Sequence, residues 1–274
     1  MSGQAQALTF TLRDRPAQSV DVSPLIPDRL QGKSADDIAA IELTSGNRKL
    51  RIGELFSIEG ADAANIAIRN SCSKLNRIGL GMSGGSITVQ GDAGAYLGMG
   101  MKNGRIVVSG SAGAWAASGM ANGQIDIRGD AGDFLGAAIQ GDKQGMQGGT
   151  VIVHGNAGDR AGDHLRRGML LIRGNAGVYC ASRMLAGTIV VGGQAGAGAG
   201  FGMKRGTLIL SRPASLPATF NDCGIHNLSF LNLLHRHFRS SGGEVAQFAR
   251  DGYRVRRFMG DLGNGGSGEI LLYV

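Results

Sequence analysis

Aromatic side chains are scarce: the 274 residues hold one Trp, four Tyr and nine Phe. A core stacked from rings is excluded, so the interior must use small and aliphatic side chains on closely approaching backbones. Only five prolines accompany the 48 glycines, and glycine follows no period of three, which excludes a collagen-like helix. Three cysteines, Cys72, Cys180 and Cys223, lie far apart. Their odd number argues against a disulfide framework and for a reducing compartment. No segment approaches the roughly 18 apolar residues of a membrane span, and "MSGQAQALTF" lacks the basic stretch and apolar run of a secretory leader. A soluble cytoplasmic protein is expected. Charge of one sign is not concentrated either: the net +7 divides into +1 over residues 1–86, +4 over 87–207 and +2 over 208–274. That spread is weak as a nucleic-acid footprint, but it suits an acidic partner or ligand.

What is abundant is glycine in register. "GDAGAYLGMGMKNG" at residue 91 looks like a phosphate-cradling loop, yet it returns as "GSAGAWAASGMANG" at 110, "GNAGDRAGDHLRRG" at 155 and "GNAGVYCASRMLAG" at 174. A nucleotide site needs such a loop once, between a strand and a helix. Repetition points to architecture. Repeat starts fall at Ile87, Ile106, Ile125, Val151, Leu170, Ile189 and Leu208, spaced 19, 19, 26, 19, 19 and 19 residues, so one lap carries a seven-residue insertion. A further step back reaches Ile68, where a degenerate first lap keeps Met82 and Gly85 in register while Cys72 replaces the first glycine.

Each lap opens on an apolar, any, apolar triplet rich in β-branched residues, the signature of a short strand with one face inward. A G-x-A-G corner follows, at Gly91 and Gly94, Gly110 and Gly113, Gly129 and Gly132, Gly155 and Gly158, Gly174 and Gly177, and Gly193 and Gly196. These glycines are expected to supply positive φ and close backbone approach. A column of Met101, Met120, Met146, Leu165, Met184 and Met203 recurs further on, before a closing glycine, and places the insertion ahead of Met146. Strands at identical positions in such short laps can stack in parallel about 4.8 Å apart. The expected fold is mostly β: a right-handed parallel β-helix of about seven coils over residues 66–211, an N-terminal capping segment over 1–65, and a C-terminal helix and tail over 212–274. A left-handed hexapeptide helix is disfavoured by the 19-residue period, and a calcium-binding roll by the missing G-G-x-G-x-D. In the tail, "NLSFLNLLHRHF" places Leu228, Leu231, Leu234 and Phe238 near one helix face, to cover the laps or dock on a partner.

No catalytic or metal constellation emerges. His235 and His237, two apart on a helix, diverge and read as an exposed basic helix end. Cys223 and His226 lack a second ligand pair and read as a turn. Cys180 shares a column with leucines and alanines and reads as a buried, inert thiol. His154 shares a column with Arg128 and Arg173, and His164 adjoins Asp163, but spacing nominates no nucleophile for either. Tyr96, Trp115, Phe134, Arg160 and Tyr179 form one column, expected to point outward from extended backbone. They are the residue types that dominate interface centres, and the candidates are a partner interface or a surface covered by the chain's own terminal segment. A second outward column, Val107, Ile152, Leu171 and Val190, is apolar and needs a cover.

The pattern G-x-x-G-x-x-x-G, as in Gly91/Gly94/Gly98 and Gly155/Gly158/Gly162, resembles the β-helix that closes the large subunit of glutamate synthase, although Ala117 and Ala181 depart from it. The ordered set "GELFSIEG", the repeats, "FLNLLHRHF" and "RRFMGDLGNGGSGEILLYV" resembles more closely the C subunit of formylmethanofuran dehydrogenase, and within it the bacterial formyltransferase/hydrolase complex of methylotrophs. The resemblance implies a structural subunit without catalytic residues. Its complex passes formyl groups between tetrahydromethanopterin and a methanofuran-type carrier and releases formate, with metal and active sites in the amidohydrolase-like A and formyltransferase D subunits, and a B subunit beside them. No cofactor would be bound by this chain. Arg166, Arg167, Lys204 and Arg205 are the residues expected to meet a glutamate-rich carrier tail. A glutamate-synthase-like module of an amidotransferase assembly is the alternative.

Overall fold

The computed structural model describes residues 6–274. The N-terminal segment holds strands β1 (Ala7–Leu12) and β2 (Val20–Asp21), short helices α1 (Pro27–Leu30) and α2 (Ala35–Ala39), strands β3 (Glu42–Ser45) and β4 (Arg48–Arg51), helix α3 (Ile52–Leu55), then β5 (Phe56–Glu59), β6 (Asp62–Ser71) and β7 (Leu75–Asn76). The repeats supply one strand each: β8 (Ser86–Gly91), β9 (Arg105–Val108), β10 (Gln124–Ile127), β11 (Gln147–Val153), β12 (Arg167–Ile172), β13 (Thr188–Val191) and β14 (Thr207–Leu210). The tail adds β15 (Asn221–Asn227), helix α4 (Ser229–Ser241), β16 (Arg254–Gly260) and β17 (Gly268–Tyr273).

The protein is mostly β, built on a large mixed sheet in the order β15-β16-β17-β14-β13-β12-β11-β10-β9-β8-β6-β1-β5, with a four-stranded sheet β4-β3-β2-β7 beside it. From β1 to β17 all neighbours are parallel, and the repeat starts pair with one another: Ile66 with Ile87, Ile87 with Ile106, Ile106 with Ile125, Ile125 with Val151, and onward to Leu208 with Ile270. The degenerate lap begins two residues earlier than its 19-residue step suggests, with Ile66 rather than Ile68 opposite Ile87. Within the corners a second ladder runs through the alanines, Ala93–Ala112–Ala131–Ala157–Ala176–Ala195. The antiparallel strands β5 and β16 with β15 occupy the two ends of the parallel stack.

One core runs the length of the stack: the inward-facing strand residues, the alanine column and the methionines Met82, Met101, Met120, Met146, Met184 and Met203 are all buried. The G-x-A-G corners correct an expectation, because Gly91 is the only one of the twelve with positive φ (115°). The other eleven supply room. A Cβ at Gly110 would lie 2.8 Å from the carbonyl carbon and oxygen of Gly91 in the preceding lap. Positive φ is found elsewhere in the lap, including Gly98 (60°) and Gly104 (104°).

Candidate functional site

Beyond each G-x-A-G corner the chain turns through a left-handed residue, and these residues are bulky. Arg77, Tyr96, Trp115, Phe134, Arg160 and Tyr179 have φ of 62°, 64°, 64°, 62°, 57° and 59°, and glycine (Gly198, 74°) takes the position in the next lap. The expected extended backbone is therefore wrong here. A left-handed residue with a Cβ costs about 1–2 kcal/mol, and stacking between laps offsets part of that. The rings of Trp115 and Phe134 lie parallel with centroids 4.1 Å apart. The Arg77 guanidinium sits 5.8 Å over Tyr96 and that of Arg160 4.9 Å over Tyr179, while Tyr179 meets Phe201 edge-on at 6.0 Å. Tyr96, Trp115, Phe134 and Arg160 are half-buried, whereas Arg77 is exposed and Tyr179 is 38 % exposed beside Val178 and Phe201 (37 % and 48 %).

The inserted segment stands over this ladder. Ile139 and Gln140 line a depression of about 360 Å³ with Arg77, Tyr96, Met99 and Trp115. They also line one of about 240 Å³ that reaches Phe134, Asp163, His164 and Arg183. Asp163 is buried there and fully engaged: its Oδ1 accepts from Ser182 Oγ (2.7 Å) and Arg183 Nε (2.9 Å), and Arg183 also donates to Oδ2. The arrangement offers stacked rings and an aliphatic wall, with the buried acid Asp163 paired to Arg183 and the acid of the insertion, Asp142, at its rim. It can receive another protein surface.

A second cluster escaped the sequence reading. His154 places Nε2 3.0 Å from Asp126 Oδ1 and Nδ1 3.7 Å from Glu244 Oε2. Arg128 reaches both acids (Glu244 at 2.5 Å, Asp126 at 3.5 Å), and Arg173 reaches Glu244 at 3.2 Å. The Arg128 hydrogen bond, with the charges of Arg128, His154 and Arg173, holds the Glu244 carboxyl below the usual carboxylate range. Both imidazole nitrogens face carboxylates, leaving neither for a substrate. The cluster clamps the segment after α4 onto three consecutive laps. The shared column of Arg128, His154 and Arg173 was visible in the sequence; Glu244, some 70 to 116 residues away, was not.

The second outward column is covered by the chain itself. Ile152, Leu171 and Val190, extended by Ile209 and Leu271, pack beneath Leu231, Phe238, Val245, Phe248 and Val255, whereas Val107 stays half-buried outside this cluster. His235 is not an exposed helix end, because α4 turns it inward. Its Nδ1 accepts from the Arg250 backbone N–H (3.2 Å), and its Nε2 lies 2.9 Å from the Tyr273 hydroxyl. Burial, then the charges of Arg239 and Arg250, push its pKa down. His237 is exposed. Cys223 and His226 do not form the expected turn: both lie in β15, where the register with β16 shifts between Asp222 and Ile225, and the His226 ring meets the Cys223 carbonyl at 2.8 Å. Cys180 is fully buried, which pushes its thiol up to about 12. Arg166, Arg167, Lys204 and Arg205 are exposed. Among the described residues no three His, Cys, Asp or Glu side chains gather to hold a metal, and no helix is long and apolar enough to cross a membrane.

No family model matches the chain. A stretch of 92 residues is 36% identical to the C subunit of the tungsten-containing formylmethanofuran dehydrogenase 2 of Methanococcus maripaludis, covering 33% of this chain and 34% of that protein. A stretch of 89 residues is 40% identical to the C subunit of the formyltransferase/hydrolase complex Fhc of Methylorubrum extorquens, covering 32% and 34%. These alignments thus span about a third of the curated relatives' length. The likeness to a solved structure is longer. A chain of the X-ray crystal structure of the formyltransferase/hydrolase complex (FhcABCD) from Methylorubrum extorquens, in complex with methylofuran, matches with a TM-score of 0.91 and 39% identity, over 97% of this chain and 99% of that one.

Proposed function

The chain belongs to the family of C subunits of formylmethanofuran dehydrogenases and formyltransferase/hydrolase complexes, and from that premise we propose that it is a non-catalytic scaffold subunit of a formyltransferase/hydrolase complex. Such a complex passes formyl groups between tetrahydromethanopterin and a methanofuran-type carrier and releases formate, in the cytoplasm. The observation that carries the reading is the match along nearly the whole chain to a chain of a complex bound to methylofuran. In this reading the amidohydrolase-like A subunit, the B subunit and the formyltransferase D subunit are the partners. Metal and cofactor chemistry resides in them, and the column Tyr96, Trp115, Phe134, Arg160 and Tyr179 meets one of them. The carrier's tail approaches Arg166, Arg167, Lys204 and Arg205.

The parallel laps are read as a right-handed β-helix of about seven coils, the hand that parallel crossover connections overwhelmingly take. In domain terms residues 1–65 cap the first coil, 66–211 form the helix of coils and 212–274 close the far end. Support comes from the long parallel ladder and from the antiparallel strands at its two ends.

Purification of the tagged chain from its native host, with identification of what accompanies it, tests the reading. Companions of the amidohydrolase and formyltransferase classes are expected. Recovery of the chain alone, or formyl-transfer or hydrolase turnover by the lone chain, overturns it. For the interface, Trp115→Ser with Phe134→Ser is expected to deplete at least one companion, and unchanged co-purification refutes the assignment to this column.

A further inference from the structure

A cleft of about 280 Å³ lies between the last laps and the tail that covers them. Val190 of β13 and Ile209 of β14 line it from the laps, while Phe238 of α4, Phe248 of the turn Val245–Phe248 and Tyr273 of β17 bring three rings from the tail. Two guanidinium groups enter this apolar lining, Arg173 from the laps and Arg250 from the tail, and no Asp or Glu lines the cleft.

The two cations are not equivalent. Arg173 lies 5.9 Å over the Phe248 ring and pairs with Glu244 at 3.2 Å. Arg250 forms no ion pair among the described residues. Asp251 follows it directly but is turned to Arg239, at 3.4 Å. Arg250 is nevertheless held in place: its guanidinium sits 4.7 Å over the Tyr273 ring and donates to Ser211 Oγ at 2.5 Å, and its backbone N–H donates to His235 Nδ1. A hydroxyl that accepts from an arginine keeps its own proton to donate, so Arg250 and Ser211 present donors side by side against apolar walls.

That combination selects a ligand class. A positioned guanidinium without a counter-charge, beside a hydroxyl, fits a carboxylate through charge-assisted hydrogen bonds. The surrounding rings and aliphatic side chains fit an apolar body, which inorganic phosphate lacks. An apolar cavity of about 150 Å³ accepts benzene, so about 280 Å³ leaves room for one ring and its carboxylate.

We propose that the cleft between the last laps and the tail binds a small single-ring monocarboxylate, with Arg250 and Ser211 on its carboxylate and Phe238, Phe248 and Tyr273 around its ring. The proposal goes beyond the scaffold reading and does not depend on it. Occupancy would reach His235, whose Nε2 lies 2.9 Å from the Tyr273 hydroxyl. Burial first, then the charges of Arg239 and Arg250, hold the His235 pKa down, and Asp251 opposes them. An anion at Arg250 offsets one of the two cations, so the bound ligand favours the imidazolium and couples the cleft to the packing of α4.

Benzoate serves as the probe, with benzamide as its neutral counterpart and inorganic phosphate as an anion without a ring. In amide NMR titrations of the purified full chain, benzoate is expected to shift the resonances of Ser211, residues 247–250 and Tyr273 saturably, and benzamide to leave them in place. The His235 ring should titrate at higher pH with benzoate bound. Arg250→Gln is expected to weaken benzoate about ten-fold, the worth of about one charge-assisted hydrogen bond, and Ser211→Ala, a smaller change at the same place, to weaken it several-fold. Arg250 is exposed, so its replacement retains the fold, and circular dichroism checks this. Benzoate shifts no larger than those of benzamide, phosphate that binds as tightly as benzoate, or an Arg250→Gln chain that binds benzoate as before, each overturns the site.

Discussion

A left-handed turn position is sterically simplest with glycine, yet two residues in the Gly79, Gly98, Gly136, Gly162, Gly200 column are alanine. Ala117 and Ala181 hold φ of 59° and 60°. At three of the five glycines the side chain two laps on leaves no room for a Cβ. A Cβ at Gly79, Gly98 or Gly162 would lie 2.4, 2.3 or 2.3 Å from the Cδ1 of Ile106, Ile125 or Ile189. The residues in the corresponding positions for Ala117 and Ala181 are Val151, which has no Cδ1, and Leu208, which branches differently. Gly98→Ala is therefore expected to combine left-handed strain of about 1–2 kcal/mol with overpacking of about 1–3 kcal/mol. Adding Ile125→Val should recover part of that loss. Urea unfolding of the two single variants and the double variant measures the coupling, and strictly additive losses would remove this account. The G-x-x-G-x-x-x-G pattern was plain in the sequence. Its cause was not, because the partner of each glycine lies two laps away and the corner glycines need space more than positive φ.

At the scale of elements, α4 shows where periodicity informs and where it stops. The spacing of Leu231, Leu234 and Phe238 gave its buried face, and these residues do pack on the outward column of the laps. Leu231 is fully buried, so Leu231→Ala is expected to cost about 2–5 kcal/mol. The same face takes His235 inward, which a pattern of apolar residues could not announce, since its partners Arg250 and Tyr273 come from later in the tail. The pH consequence has a definite sign. The folded pKa of His235 lies below the ordinary value of 6.5, so below that pH the unfolded chain binds more protons than the folded one. Stability from the neutral imidazole is complete above pH 6.5 and is lost as pH falls toward the folded pKa. The urea midpoint should drop between pH 7.5 and 5, and His235→Gln should flatten that drop; an unchanged slope would show that other groups cause it. Glu244 holds the other end of this segment. Glu244→Gln should raise amide exchange across residues 242–248 while leaving β8 to β10 protected, and uniform exchange would show that the clamp holds nothing.

For the whole molecule, register was the most legible property because it is written once per lap. Seven starts and an insertion placed ahead of Met146 become strands paired residue by residue, with Gln124 opposite Thr150 across the insertion. The ends were less legible. Nothing in the spacing of "EILLYV" marked β17 as a further parallel rung on β14, with Ile270 beside Leu208. The column Tyr96, Trp115, Phe134, Arg160 and Tyr179 was visible as a set of residue types, while its left-handed geometry was not, since bulky residues there contradict local propensity. A parallel stack with an apolar outer column must end and be covered within the chain, or it will pair with another copy. Here β17, β16 and β15 continue the sheet, and α4 with the segment after it seals Ile152, Leu171, Val190 and Ile209. Deleting residues 212–274 would uncover β14 as an open edge and that apolar column together, the combination that promotes edge-to-edge association. The truncated chain is expected to form large oligomers by light scattering under conditions that keep the full chain dispersed. If it stays monomeric with its strand content intact, the tail is not needed as a cover, and its packing on the laps must serve another purpose.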